Sequence, residues 1–276
     1  MTSITDTADV PAPVRSRLRP ASIGVGNVVN SEWTKLRSLR SSFWTAIIAV
    51  VGAIGIAILG SIEFVRNFQP NNLVGFDAAN FTVQSLYGSQ ILLGALGVLT
   101  ITGEYATGMI RTSLTSVPQR RSLLALKGLV YAAAVFVLGE IASFGAFLIG
   151  QAILHNKQAG LSLTDHNVAR VVIGGGLYVT IVGLLAFGLG ALIRRTAGAM
   201  ATFFAVLFLP SALIDLLPSS WHDVAMKFAP ANAGTQILSL HRQHGMLSAW
   251  NGLGVLAIYA AITCAAALFF IGRRDA

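Results

Sequence analysis

The sequence predicts an all-α integral membrane protein with six transmembrane helices, and three observations carry that reading. Only 11% of the 276 residues are charged, against about 25% in an ordinary soluble domain; 54% are hydrophobic, and mean hydropathy is +0.70. The apolar residues gather into six separate runs, each close to the roughly 20 residues that a helix needs to cross a bilayer. Lys and Arg are shared unevenly between the segments that join those runs. A soluble globule of this length has too little interior for so much apolar surface, so lipid acts as the solvent for much of the chain.

The runs lie at about 43–62, 86–102, 129–154, 171–193, 197–217 and 253–271. They are continuous rather than alternating, which fits helices and not barrel strands. The second is short and carries Gln90, and only "RRTA" separates the fourth from the fifth. Ahead of them, residues 1–22 are polar, hold three prolines and lack the apolar stretch of a signal peptide. They read as a disordered cytoplasmic tail, with 23–274 as a single transmembrane domain. Between tail and first run comes "VGNVVNSEWTKLRSLRSS", where Val25, Val28, Val29, Trp33 and Leu36 recur at helical spacing. Trp33 beside Lys35 and Arg37 suits an amphipathic helix lying in the membrane interface; an irregular linker is the alternative.

An even number of spans puts both termini on one side. That side collects fourteen Lys and Arg and the other five, so the termini are expected in the cytoplasm. The net charge of +8 is then a topology signal and an attraction to anionic lipid, not a nucleic-acid footprint. The single cysteine, Cys264, falls inside the sixth run; it can form no internal disulfide and reads as a small buried residue.

Residues 103–121, "GEYATGMIRTSLTSVPQRR", interrupt the apolar pattern between the second and third runs. Ile110, Leu114 and Val117 fall at i, i+4 and i+7, and Pro118 stops the helix they imply. Gly103 and Glu104 stand where the second span leaves the membrane; Arg120, Arg121 and Lys127 stand where the third begins. A short helix under the bilayer either docks into a groove on a soluble partner or is an ordinary loop whose arginines only set orientation.

Residues 218–250 contain short apolar pieces interrupted by Pro230 and Gly234. They suit a re-entrant or interfacial hairpin on the outer side, or a plain surface loop. Glu140, near the middle of the third run, is a functional candidate by default, or else a neutral carboxyl hydrogen-bonded between helices. Gln90 and Gln151 either line a path or join helices. Gly174, Gly175, Gly176, Gly183, Gly188 and Gly190 are expected to make one face of the fourth span small, which favours close helix packing over chemistry. His241 with His244, and His222 with Asp223, are incomplete as metal ligand sets, and no nucleophile elbow is present. No catalytic or metal-binding residue is therefore assigned.

The pattern Glu104, Gly108, Arg111, Leu114, Pro118, Arg121 and Lys127 between two spans resembles the permeases of ABC-2 type transporters. So do "SEWTKLRS" before the first span and the long outer segment before the sixth; the likeness covers about 25–274. The resemblance implies that the 103–121 loop is a coupling helix contacting a separate ABC ATPase subunit through Glu104, Gly108, Arg111 and Arg121. It further implies a second permease subunit, identical or different, and short outer helices over the exit. This chain would bind no cofactor, with ATP and Mg held on the partner. That agrees with the lack of a G-x-x-x-x-G-K-[ST] motif and of any soluble region large enough for an ATPase domain.

The expected function is export of a hydrophobic or amphiphilic substrate, such as a lipid, peptide or antibiotic, across a bacterial plasma membrane. Gln90, Glu140 and Gln151 are the candidate path residues. Two rival classes stay open. An ion-coupled secondary transporter would use Glu140. A membrane-embedded lipid-modifying enzyme would need clustered carboxylates or histidines, of which the cytoplasmic loops offer Glu104 and little else.

Overall fold

The computed structural model describes residues 26, 30, 33, 34, 40–69, 75–108, 120–155, 159–216 and 218–271. The 1–22 tail, Lys35, Arg37, Arg111 and the rest of the 109–119 loop, and Arg273 with Arg274 lie outside these residues. The helices are α1 (Arg40–Arg66), α2 (Ala78–Val83), α3 (Leu86–Ala106), α4 (Arg120–Leu154), α5 (Val168–Ile193), α6 (Thr196–Leu213), α7 (Ser219–Phe228), α8 (Pro230–Thr235) and α9 (Ala249–Ile271). No strand occurs among the described residues. Six spans are long and apolar enough to cross a membrane: α1, α2 with α3 taken together, α4, α5, α6 and α9. Gly26, Asn30, Trp33 and Thr34 are also helical, with Trp33 exposed.

Each of the six expected spans corresponds to one of these, and the bounds differ for identifiable reasons. The second is longer than its apolar run because α2 feeds into α3 through a turn at Gln84 and Ser85. Asp77 caps α2, its carboxylate accepting from the Asn80 amide at 2.8 Å. The third begins nine residues before its run. At 35 residues, α4 is about 52 Å long and exceeds a hydrocarbon core of about 30 Å. The fifth stops at Leu213 rather than at 217 and tightens into a 3-10 turn, Ile214–Leu216. Pro210 sits one turn before that end and cannot donate to the carbonyl four residues back. Within 218–250 the break falls at Ala229, ahead of Pro230. Gly234 continues α8; a Cβ there would meet Leu256 Cδ2 at 2.6 Å and Tyr178 Cε2 at 2.8 Å.

The core is built around α5, which packs against α3, α4, α6 and α9. Its glycines meet a different neighbour on each side. A Cβ at Gly175 would lie 2.5 Å from Ser143 Oγ, one at Gly183 2.6 Å from Tyr131 Oη, and one at Gly190 2.7 Å from Ile101 Cγ2. On the facing helix, a Cβ at Gly139 would be 3.1 Å from the Gly176 Cα. In lipid no hydrophobic force gathers helices, so this close approach supplies the dispersion and polar contacts that do. Tyr131 Oη donates to the Leu93 carbonyl at 2.6 Å, and Ser143 Oγ to the Val172 carbonyl at 2.6 Å. By contrast α1, α6 and α9 leave large apolar side chains exposed along their lengths, including Ile48, Leu59, Leu209 and Ile262.

Candidate functional site

The helices alternate in direction, so the bundle has two ends. One, here the basic end, carries Arg40, Arg121, Arg194 and Arg195; the opposite end carries residues 67–69, 75–77, 159–167, 214–216 and 218–248.

At the basic end α3 closes with a left-handed glycine. Gly108 has φ +71, a conformation that suits glycine after a helix C-terminus, and its amide donates to the Tyr105 carbonyl at 3.3 Å. Just inside, Lys127 Nζ of α4 lies 2.6 Å from Glu104 Oε1 of α3, and their side chains are 1% and 10% exposed. Arg194, left-handed at the end of α5 (φ 61), sets its guanidinium 5.1 Å from the Tyr105 ring centroid. Thr196 Oγ1 donates to Thr102 Oγ1 at 3.0 Å. The last turn of α3 is therefore fastened to α4 on one side and to the corner between α5 and α6 on the other. Of the four loop residues singled out in the sequence, Gly108 and Arg121 are exposed. Glu104 is buried within the bundle by its ion pair, and Arg111 lies outside the described residues.

The three candidate path residues occupy different settings. Tyr178 Oη donates to Gln90 Oε1, joining α5 to α3. Gln151 Nε2 donates to the Ala78 carbonyl at 2.8 Å and to Thr82 Oγ1 at 3.3 Å, while its Oε1 accepts from the Leu161 amide at 2.8 Å. Those bonds tie α4 to α2 and to the loop before α5. Glu140 differs: both carboxyl oxygens are buried and have no hydrogen-bond partner among the described residues, and the side chain lies against the bare backbone of Gly176.

At the opposite end a cavity of about 650 Å³ opens between the start of the second span, the end of α6, α7, α8 and the 243–246 turn. Asn80, Gln84, Tyr87, Lys227, Asn232 and Gln243 are among its lining residues. The strand of chain after α8 that borders it is latched to the bundle. Arg170 donates to the carbonyls of Ile237 (3.3 Å), Ser239 (2.9 Å) and Leu240 (3.2 Å). Asp77 Oδ2 accepts from the Leu240 amide at 2.7 Å, and Asn80 Nδ2 donates to the Leu238 carbonyl at 3.0 Å. The helix α7 has two characters: His222, Asp223, Met226 and Lys227 line the cavity, while Trp221, Val224 and Phe228 are exposed.

Sequence reasoning missed both the Glu104–Lys127 pair and the Arg170–Asp77–Asn80 latch. A signal for the first was present: Glu104 lies two residues beyond the second apolar run and Lys127 two residues before the third. In antiparallel neighbours that is the same depth. Asp77 and Leu240 are 163 residues apart, and no local pattern announces their contact. Among the described residues no three His, Cys, Asp or Glu side chains converge. The chain matches no family model, and no curated protein matches it.

Proposed function

We propose that this chain is the membrane-spanning permease subunit of an ATP-driven ABC exporter, paired with a second permease and with separate ATPase subunits that hold ATP and Mg. In this reading both termini and the 107–119 loop face the cytoplasm of a bacterial cell. The cargo is hydrophobic or amphiphilic and leaves past the cavity at the opposite end, where α7 and α8 form an interfacial lid. The observation that carries it is the fastening of the loop's root: Glu104 to Lys127, and Tyr105 to Arg194. A load applied to a loop so held passes into α3, α4 and α5 together, which is what a coupling helix requires. The exposed left-handed Gly108 admits close approach of a partner's surface.

The test is copurification from the native membrane in mild detergent, with wild type beside Arg111→Glu. Recovery of a P-loop ATPase with wild type and its loss with the variant are the expected results. Intact wild-type protein that brings down no ATPase refutes the proposal. Glu104 is a poor choice for this test, because its substitution disturbs the bundle before it disturbs any contact.

One observation favours a second reading, ion-coupled secondary transport. A carboxyl in the span with no hydrogen-bond partner among the described residues is costly to retain without a use. Proton-gradient-driven uptake in proteoliposomes free of any ATPase, abolished by Glu140→Gln, would establish it in place of the first.

A further inference from the structure

Between α4, α5 and α9, in the half of the bundle nearer the basic end, lies a groove of about 290 Å³. Small residues create it: Ala125, Gly128 and Ala132 on α4 face Cys264 and Ala267 on α9. Phe187 of α5 borders it, and a Cβ on Gly128 would already sit 3.2 Å from that ring. Every lining side chain is apolar or the Cys264 thiol. The groove opens sideways, since Ala125 is exposed and Leu129 at its rim is 64% exposed.

Arg121, Ala125, Gly128 and Ala132 stand at i, i+4, i+7 and i+11, one stripe of α4. The stripe therefore runs from an exposed arginine at the basic end straight into the groove. Arg121 takes part in no ion pair among the described residues. From Arg121 to Ala132 the helix rises about 16 Å, close to half of a hydrocarbon core of about 30 Å. An apolar track one leaflet deep, headed by an exposed cation, has the dimensions and the charge order of a single phospholipid.

We propose that this groove seats one acyl chain of an anionic phospholipid whose head group rests against Arg121. The assignment takes Arg121 out of the ATPase contacts that the resemblance implied, and it is read out without a cargo or an ATPase.

Native mass spectrometry of the purified full chain, titrated with phosphatidylglycerol or with phosphatidylcholine of the same chains, tests it. Wild type is expected to retain phosphatidylglycerol about fivefold better, the attraction of one basic residue for an anionic surface. Arg121→Ala should erase that preference while some retention of both lipids persists, and Arg121→Lys should keep it. Ala132→Phe, which fills the groove from a half-buried position, should lose both lipids. Should that variant fold poorly, the rate of Cys264 alkylation by N-ethylmaleimide in wild type serves instead, slowed by phosphatidylglycerol and little changed by phosphatidylcholine. Equal retention of the two lipids by wild type overturns the proposal, as does wild-type retention by folded Ala132→Phe. Conversion of a dimer to a monomer by Ala132→Phe also overturns it, since the groove would then be covered by a second copy.

Discussion

Replacing Lys127 by methionine keeps an unbranched side chain one atom shorter and removes its charge. At 2.6 Å, two unit charges attract by about 6 kcal/mol for an effective dielectric constant near 20. Burial of each ion costs several kcal/mol against that gain, so the intact pair contributes little net stability. The variant changes the balance: the Glu104 carboxylate keeps its desolvation cost and loses the cation beside it. A loss of about 3–5 kcal/mol is expected. The double variant Glu104→Gln/Lys127→Met removes both charges and should return to within about 1 kcal/mol of wild type, which makes the coupling between the two sites about 2 kcal/mol or more. Reversible unfolding in mixed detergent and dodecyl sulfate micelles, followed by the native tryptophans, measures each value. Losses that simply add in the double variant, or a loss below about 1 kcal/mol for Lys127→Met, would show that the pair is hydrated and does not fasten α3 to α4.

Further substitutions probe other parts of the bundle. Gly97→Ala places a methyl 2.7 Å from Tyr131 Oη and 2.8 Å from the Gly183 carbonyl, and the same micelle assay should report a loss of about 1–3 kcal/mol from overpacking; an unchanged curve would mean that the α3–α5 crossing is loose. Gln151→Leu strands the Leu161 amide, while the Ala78 carbonyl keeps its bond from Thr82 Oγ1 at 3.1 Å, so a cost of about 1–3 kcal/mol is expected, whereas Gln84→Leu at an exposed position should cost little. Arg170→Met removes three hydrogen bonds to 237–240; a thiol introduced at Gln243 in a Cys264→Ser background should then react several-fold faster with a water-soluble maleimide, and an unchanged rate would mean that Asp77 and Asn80 hold the latch alone.

The spans were legible because a continuous apolar run of membrane length has few alternative fates. Close packing at the α5 glycines was legible from their small size, but their spread was not: the sequence suggests one small face, whereas Gly174, Gly183, Gly188 and Gly190 meet Ile237, Tyr131, Thr263 and Ile101 on different sides. The polar contacts were not. Gln90 and Gln151 were open between lining a path and joining helices, because a side-chain amide serves both and only its partners decide. Tyr178, Ala78, Thr82 and Leu161 are those partners, and none neighbours its glutamine in sequence. Lys127 looked like one more topogenic cation because its carboxylate stands 23 residues away, across the loop. Pro230 and Gly234 both resembled breaks, yet only the proline coincides with one, since glycine in a helix is also what permits a neighbour to come close.

The central position of α5 has a consequence for assembly during synthesis. Helices leave the ribosome in order, at about 5–20 residues per second, and α5 is the fourth span to emerge. Both α3 and α4 rest against it, so for the seconds before it arrives the surfaces they turn toward it, with Gly97, Gly139 and Ser143, have no permanent neighbour. The early half of the chain must wait in the membrane, open to chaperones or to premature pairing with other proteins. Once α5 inserts, α6 and α9 join a bundle whose centre is already occupied. Truncations ending just before residue 168 should therefore remain associated with the insertion machinery, and truncations ending after 193 should be released from it.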